Sequence, residues 1–423
     1  MILLRKPIPV QEAVQKVMSV SHVLPSENIS LEHGYGRVLA DDVYAPHPVP
    51  WFIRSPYDGY AFAAHATIKA GAGHSVLLEV VGAIGRGDDW EGTLQDGQAV
   101  KVMTGSALPD GADAVMMDEL VRVKTDPEGK TFIEIRRHVS QGENVCQIGE
   151  DIREGQLLVR KGTVINPGVM AILATFGYST ISVVRKPKVG LIVSGTDLLS
   201  LEEPLQIGKV RNSNAYMLYA QCQRARSEIK KYGQIGDTIE DSVKKIKHAL
   251  KESDLVVTTG GVSVGDTDIM PKVYKEIGAL LLFNKVTMRP GSVTSAAQID
   301  NKLLIGLSGN PSACYVGFEL FARPALQKLQ GISHPYLRKT QAVLKTDFPK
   351  ANPVTRFVRG CTSLYEGKVY VEPTGSKDKS NIVSSLSGAN SFIVLPAGSK
   401  GWKAGSTVDV LLLEKDDRDK AGS

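Results

Sequence analysis

The 423-residue sequence is poor in cysteine and lacks long apolar runs. Its four cysteines are far apart, with no CxxC pair and no nearby histidine at ligand spacing, which argues against a disulfide framework and against structural zinc. No apolar stretch approaches transmembrane length, and residues 1–10 hold two charges and two prolines, unlike a signal peptide. We therefore expect a cytoplasmic protein that does not enter a membrane.

An excess of charge of one sign is also missing. Lys and Arg together number 50 against 45 Asp and Glu, so the bulk charge does not favour nucleic acid as a partner. The densest basic run, Arg224 to Lys231, is predicted to lie on the solvated face of a helix over Asn214 to Lys231. A hydrophobic content of 42% is typical of a globular protein, and the length predicts two to four domains.

The pattern of apolar, polar and turn residues changes along the chain. Short alternating runs between Gly, Asp and Pro turns from His47 to Val145 predict a β-rich insert. Strand, turn and helix then repeat from Lys188 to Gly331, which predicts a doubly wound α/β domain with a mostly parallel sheet. Short strands return after Ile332 and predict a small C-terminal β-domain. The fold class is therefore multidomain α/β plus β.

A glycine-rich loop follows the buried strand predicted at Leu255 to Thr258. Residues Gly260 to Thr267 nearly fit the phosphate loop G-x-x-x-x-G-K-[ST], but Asp266 stands where the lysine should be. A carboxylate repels phosphate unless a hard divalent cation lies between them. The loop therefore indicates an anionic ligand held partly through Mg²⁺, and the alternative is a strand-to-helix turn with solvated acids.

Four loops are predicted at the carboxyl ends of the central strands, where ligands bind in open α/β sheets. They are Ser194 to Asp197, Gly260 to Asp268, Met288 to Ser292 and Gly306 to Asn310. Together they offer backbone donors, cations and acids, a mixture suited to a large anion that carries a metal ion. The Gly306 loop resembles a hydrolase elbow, but Asn310 replaces its last glycine and no histidine is well placed, which disfavours a serine hydrolase.

Six motifs lie in the order and spacing of a known family. They are S-P-Y-D-G-Y-A from Ser55, M-T-G-S-A-L-P-D-G-A-D-A-V from Met103, G-E-D-I from Gly149, G-G-V-S-V-G-D-T-D from Gly260, R-P-G from Arg289 and G-L-S-G-N-P from Gly306. With these motifs the chain resembles the molybdopterin molybdenumtransferases, the MoeA group that includes the gephyrin E domain. The resemblance covers nearly the whole chain.

The resemblance implies four domains and a homodimer. The domains would be a discontinuous, helical N-terminal domain (1–47 and 147–185), the β-rich insert (48–146), a molybdopterin-binding-like α/β domain (186–331) and a C-terminal β-barrel-like domain (332–423). The cleft would use the central domain of one subunit and N-terminal loops of the other. The implied reaction takes adenylylated molybdopterin and molybdate, releases AMP with Mg²⁺ and inserts molybdenum at the dithiolene. Molybdopterin adenylyltransferase and molybdoenzyme maturation proteins would be its partners.

The resemblance also implies roles for individual residues. The catalytic set would be Asp58, Thr104, Asp151, Asp197, Asp237 and Asp268, with Asp237, Asp266 and Asp268 as metal ligands. The substrate-binding set would be Gly260, Gly261, Ser263, Lys285, Arg289, Ser292, Ser308, Gly309, Asn310, Arg359 and Ser384. In these sets carboxylates serve the metal and water, and cations with backbone N–H groups serve phosphate or molybdate.

Two departures from the family pattern keep other functions open. Leu198 replaces an acid usual beside Asp197, and Ser292 replaces a usual cation. They favour a divergent, non-catalytic pterin-binding or scaffold paralogue, whereas retention of Asp58, Asp237 and Asp268 favours the enzyme. A third hypothesis, a Mg²⁺-dependent nucleotide phosphotransferase, rests on the Gly260 loop and is weakened by its missing lysine.

Overall fold

The computed structural model describes residues 6–71, 73–236, 238–261, 270–375 and 379–413. It divides into two compact units. Unit 1 comprises Met1–Asp41, Lys161–Ala171 and Tyr178–Ser423, and unit 2 comprises Asp42–Arg160 and Ile172–Gly177. The predicted Asp237, Ser263, Asp266 and Asp268 lie outside the described residues. The predicted division into four domains stays a prediction.

The secondary structure is mixed. The helices are α1 (Val10–Ser19), α2 (Pro167–Thr175), α3 (Ser213–Arg224), α4 (Ile239–Glu252), α5 (Met270–Glu276), α6 (Pro311–Gly317) and α7 (Arg323–Leu329), with a π-helical turn at Phe318–Ala322 that makes α6 and α7 continuous. The strands are β1 (Ser26–Ser30), β2 (Val38–Leu39), β3 (Val43–Tyr44), β4 (Gly59–Phe62), β5 (Val76–Ile84), β6 (Gln98–Val102), β7 (Ala114–Met117), β8 (Arg122–Thr125), β9 (Thr131–Ile135), β10 (Leu157–Val159), β11 (Thr180–Val184), β12 (Lys188–Ser194), β13 (Leu198–Leu199), β14 (Val210–Arg211), β15 (Glu228–Ile235), β16 (Leu255–Thr259), β17 (Leu280–Phe283), β18 (Met288–Arg289), β19 (Ser295–Ile299), β20 (Lys302–Leu307), β21 (Arg338–Leu344), β22 (Thr355–Tyr365), β23 (Lys368–Pro373), β24 (Ser391–Leu395) and β25 (Thr407–Leu412). Among the described residues, no helix is both long and apolar enough to cross a membrane.

A six-stranded sheet in the order β15-β12-β16-β20-β19-β17 forms the centre of unit 1. The first four strands are parallel, and β19 and β17 join by antiparallel pairing. Side chains alternate between two cores: Leu191 and Val257 pack with α1, α3 and the helix from α6 to α7, whereas Ile192 and Val256 pack with α4 and α5. Apolar faces on both sides explain the continuous apolar strands and confirm the doubly wound α/β prediction.

The predicted helix over Asn214 to Lys231 is wrong in its second half. Helix α3 ends at Arg224, Arg226 has a left-handed φ of 58°, and the chain then enters β15. Strand β15 is an edge of the central sheet and most of its side chains are exposed. Lys230 and Lys231 therefore lie on an edge strand, where lysine opposes pairing with another sheet. The helical spacing of apolar residues did not reveal that the chain passes from a helix to a strand in this segment.

The N-terminal part of unit 1 is not purely helical. Helix α1 is followed by a three-stranded antiparallel sheet in the order β1-β11-β2, whose last strand in sequence follows α2. The prediction of a helical N-terminal domain is therefore not confirmed.

The C-terminal part of unit 1 is a closed five-stranded barrel. Strands β22, β23, β21, β25 and β24 pair in that order, and pairing of β22 with β24 closes the ring. Val358, Val371 and Val410 lie in its buried core. Closure leaves no free edge within the ring and confirms the predicted barrel-like domain. Strand β18 pairs with β22 and joins the barrel to the Met288 loop.

Unit 2 is built on a six-stranded sheet in the order β7-β4-β6-β5-β9-β8. Tyr60 and Phe62 of β4 pack into one core, and Ala61 between them packs into a second core on the other face. This alternation is the two-residue period of a strand covered on both sides. The sheet corresponds to the predicted β-rich insert.

Candidate functional site

One large cavity in unit 1 lies beyond the carboxyl ends of the parallel strands. Its volume is about 1450 Å³, and residues of all four predicted loops line it. They include Asp197 after β12, Gly261 after β16, Arg289 after β17 and Gly309 after β20. Parallel strands end on the same edge of a sheet, so loops far apart in sequence meet there.

The glycines after β16 permit a close approach between two loops. Gly260 has a φ of 84° and Gly261 a φ of 67°, both in the left-handed region that favours glycine. A Cβ atom on Gly260 would lie 2.2 Å from the backbone oxygen of Ser194, the last residue of β12, where the neighbouring loop begins. The first glycine is therefore required by both conformation and space.

The turn after β20 also lines the cavity. The backbone N–H of Asn310 donates to the Ser308 hydroxyl at 3.2 Å, and Gly309 is exposed. Asn310 occupies the predicted N-cap position, but its side chain does not cap the helix and donates instead to the Ser380 hydroxyl at 3.3 Å. The turn is thus linked to a segment of the C-terminal barrel domain.

That segment, residues 379–385, forms one wall of the cavity. The N–H of Ser312 donates to the Ser380 carbonyl at 3.0 Å, and the Ser312 hydroxyl donates to the Ile382 carbonyl at 2.6 Å. Arg359 of β22 also holds this segment, because its Nε donates to the Ser385 hydroxyl at 3.0 Å. Arg359 is 1% exposed, so its buried guanidinium supports the wall, and Ser384 is exposed beside the lining residue Val383.

Among the described residues, the charge of the cavity lining is predominantly positive. Its described lining residues include one acid, Asp197, and four cations, namely Arg211, Lys285, Arg289 and Lys379. Sequence reasoning missed Arg211 and Lys379. Arg211 could have been found, since the polar run that opens α3 follows a short strand, but no local signal connects Lys379 to this site. Both Lys379 and Ser292 line the cavity, so Lys379 supplies a cation there, whereas Ser292 stands where the family pattern usually has one.

A second polar group lies in unit 2. The Ser55 and Met103 motifs are hydrogen-bonded to each other, because the Gly105 N–H donates to the Ser55 carbonyl at 2.8 Å. Asp58 accepts hydrogen bonds from the backbone N–H of Thr104 at 2.7 Å and from its hydroxyl at 3.0 Å. Asp151 lies in an exposed turn of the same unit, and its N–H donates to the Val49 carbonyl at 3.1 Å.

The contacts of Asp58 favour its ionised form. The backbone N–H of Thr104, then its hydroxyl, and more weakly Arg86 and Lys101, hold the pKa of Asp58 below its usual range. The carboxylate is therefore charged at neutral pH, where it can accept a proton or attract a cation but cannot act as an acid.

We expect replacement of Thr104 by alanine to raise the pKa of Asp58 toward its ordinary value. The rise should be partial, because the backbone N–H is the larger cause of the lowering and remains in the variant. Carboxyl ¹³C NMR titration measures the change. Thr104→Ser keeps the hydroxyl and should retain the wild-type pKa. An unchanged pKa of Asp58 in Thr104→Ala would show that the Thr104 hydroxyl does not help to lower this pKa.

The fit of the cavity to a divalent cation rests on its oxygen donors. Within the described ranges no group of three or more His, Cys, Asp or Glu side chains is placed to hold a metal ion. The lining nevertheless contains the Asp197 carboxylate and the Ser194 and Ser308 hydroxyls. Oxygen donors of this kind suit Mg²⁺, whereas the lining residues that the structure describes offer no thiolate or imidazole for a softer metal.

Three family models match the chain in sequence order. Residues 8–177 match the MoeA N-terminal region (domain I and II), and residues 190–328 match a probable molybdopterin binding domain. Residues 341–413 match the MoeA C-terminal region (domain IV). The matched segments together span both units.

Whole-chain relatives agree with these matches. The molybdopterin molybdenumtransferase of Bacillus subtilis (strain 168) is 48% identical over 97% of this chain and 95% of its own length. A protein of that name from Staphylococcus epidermidis is 44% identical over 97% of this chain and 96% of its own length. The crystal structure of the molybdopterin biosynthesis MoeA protein from Pyrococcus horikoshii covers 97% of this chain and all of its own, with a TM-score of 0.84 at 29% identity. The chain therefore belongs to the molybdopterin molybdenumtransferase family, the MoeA family.

Proposed function

We propose that this enzyme of molybdenum cofactor biosynthesis converts adenylylated molybdopterin and molybdate into molybdenum cofactor, with Mg²⁺-dependent release of AMP. The observation that carries the proposal is the cavity of about 1450 Å³ in which four cations face one described acid. Curated relatives over nearly the full length are named as transferases, which supports catalysis over a scaffold role.

Size and charge of the cavity suit this substrate. Pockets for drug-sized ligands measure roughly 300–1,000 Å³, so this one has room for a pterin joined to a nucleotide. The adenylylated substrate carries two linked phosphate groups, and molybdate is itself an anion. Cationic side chains around such a ligand offset its charge, and they do so most strongly where water is excluded.

We assign substrate binding to two walls of the cavity. Lys285 and Arg289 would hold the pterin phosphate or molybdate, because their side chains are the cations of the loop that lines the cavity after β17. Ser308 and the Gly309 N–H would contact a phosphate oxygen from the opposite loop. Gly260, Gly261, Ser263, Ser292, Asn310 and Ser384 are proposed to complete the binding set, with Arg359 acting in support of its wall.

We assign the carboxylates to water and to the metal. Asp197, Asp237 and Asp268, assisted by Asp266, would hold Mg²⁺ or orient the water that attacks the phosphoanhydride. Bound Mg²⁺ would supply charge neutralisation at the phosphates. Attack by water breaks the bond between the two phosphates, so AMP leaves and the pterin keeps its own phosphate. Asp58, Thr104 and Asp151 are proposed to act in the same reaction, with Asp58 as an ionised carboxylate that accepts hydrogen bonds from Thr104.

The assembly state and cellular location are inferred from the resemblance to the family. We infer a homodimer in the cytoplasm that receives its substrate from molybdopterin adenylyltransferase and passes its product to molybdoenzyme maturation proteins. Sedimentation equilibrium measures the assembly state directly, and a mass near twice the 45.6 kDa of one chain would support the dimer.

The test of the proposed reaction is a defined turnover assay. Purified protein is given adenylylated molybdopterin, with molybdate and Mg²⁺ each supplied or omitted, and AMP and active cofactor are measured. We expect AMP release that requires Mg²⁺ and is stimulated by molybdate, together with cofactor that activates an apo-molybdoenzyme.

Other outcomes of this assay would contradict the proposal in distinct ways. Tight binding of the substrate without AMP release would indicate a non-catalytic carrier or scaffold. Transfer of phosphate from ATP to an acceptor, without use of the pterin, would indicate a phosphotransferase. Absence of binding would show that the fold has been kept without its ligand.

A further inference from the structure

Two buried polar side chains hold the turn after β20 in place through hydrogen bonds, which are called ties below. The Asn214 side-chain amide, on the first turn of α3, donates to the Gly309 carbonyl at 2.8 Å and to the Thr259 hydroxyl at 3.0 Å. The Thr259 hydroxyl, at the end of β16, in turn donates to the Ser308 carbonyl at 3.1 Å. Asn214 is 8% exposed and Thr259 is 1% exposed. Two successive carbonyls of the turn are therefore held toward the protein interior.

The geometry of the peptide bond gives these contacts a consequence at the cavity. In a trans peptide the N–H points away from the C=O of the same unit. Because the Ser308 carbonyl faces Thr259 in the interior, the Gly309 N–H faces outward, where Gly309 lines the cavity. The next N–H, that of Asn310, is already donated to the Ser308 hydroxyl. Within the described part of the chain, the Gly309 N–H has no hydrogen-bond acceptor.

We propose that Asn214 and Thr259 are positioning residues that keep the Gly309 N–H directed into the cavity as a donor to an anionic group of the substrate. The inference rests on the proposed function, because it assigns this N–H to a phosphate oxygen of adenylylated molybdopterin. Without the two ties the Ser308–Gly309 peptide is free to rotate, and a carbonyl oxygen turned toward the cavity repels the phosphate.

The neighbouring threonine provides a matched control. Thr258 is 0% exposed, lies in the same strand, and points to the opposite face of the sheet. Its hydroxyl has no hydrogen-bond partner among the described residues. Thr258→Val and Thr259→Val remove the same group from adjacent buried positions, so only the second removes a tie to the turn.

The experiment compares KM for adenylylated molybdopterin in variants of the full-length enzyme. Thr259→Val should raise KM by about two- to tenfold, the range expected for loss of one hydrogen bond, with kcat little changed. Thr259→Ser restores the hydroxyl and should restore KM. Asn214→Asp replaces the donor by an oxygen that faces the Gly309 carbonyl, and should raise KM by at least about tenfold. Thr258→Val should behave as wild type.

Two results would overturn the inference. One is a wild-type KM in Thr259→Val, and the other is an equal rise in Thr258→Val, which would indicate general loosening of the strand. A crystal structure of Thr259→Val, without ligand, tests the ties independently of turnover. A rotated Ser308–Gly309 peptide supports the positioning role, and an unchanged turn contradicts it. Failure of the wild-type enzyme to turn over would instead contradict the proposed function, and the turn could still be judged from that structure.

Discussion

Replacement of Gly260 by alanine should cause the largest loss of both stability and activity among single substitutions around the cavity. The new Cβ would lie 2.2 Å from the Ser194 backbone oxygen, and the φ of 84° is strained for any residue with a side chain. The left-handed conformation alone costs about 1–2 kcal/mol. The backbone overlap has no flexible side chain to relieve it, so the loops after β12 and β16 must separate.

Urea denaturation and the turnover assay measure the two effects. We expect a lower denaturation midpoint and a fall in kcat/KM of at least about 100-fold, since a displacement of about 1 Å in an active site can have that effect. Gly278→Ala is the matched control, because Gly278 has a φ of 74° and open space where its Cβ would be. If both variants lost equal stability and both kept activity, the close approach at Ser194 would have no importance.

Replacement of Lys285 by alanine should lower kcat/KM for adenylylated molybdopterin by roughly 10- to 150-fold. This range corresponds to the loss of one hydrogen bond to a charged group, about 1.5–3 kcal/mol. Lys285 is half-buried in the cavity lining, so the ammonium group lies where solvent screens it less than on an open surface. Stability should change little, because Lys285 lines the cavity and is only half-buried.

The control for Lys285 must remove an equal charge elsewhere. Lys247 lies on the exposed face of α4, outside the cavity lining, and Lys247→Ala changes the net charge of the protein by the same amount. Turnover by Lys247→Ala should match wild type. A Lys285→Ala enzyme within twofold of Lys247→Ala would show that bulk charge, and no specific contact, attracts the substrate.

Much of the central domain could be predicted from the sequence. Strands covered on both faces, such as Val189 to Val193 and Leu255 to Thr258, are apolar runs of strand length, and the structure places both in the sheet. The edge strand β15 was missed because it is largely polar and follows a helix directly. Its beginning depends on a turn at Arg226 that no glycine or proline marks in the sequence.

The part of the site formed by loops at the strand ends could be predicted from the sequence. The loops carrying Asp197, Gly260, Arg289 and Gly309 were expected at one edge of the sheet, and residues from each line the cavity. Lys379 was not predictable, because it comes from the barrel domain, in a segment held at the cavity by hydrogen bonds such as those of Ser380 to Asn310 and Ser312. Contacts between domains leave no periodic signal in a single sequence.

The buried ties were missed for a different reason. Thr259 is the last residue of an apolar strand, and Asn214 is a polar residue at the start of a helix. In sequence both are typical of ordinary structure, since β-branched residues favour strands and Asn favours helix starts. Their link to the Gly309 turn exists only once three elements have packed together.

A crystal structure of the wild-type protein soaked with adenylylated molybdopterin, without molybdate, would show directly whether the substrate binds in this cavity. We expect density for the linked phosphates inside the cavity of unit 1, with a phosphate oxygen within hydrogen-bond distance of the Gly309 N–H and the Lys285 ammonium. Phosphate density away from both groups, in an enzyme that turns over in solution, would show that neither group binds the substrate phosphates.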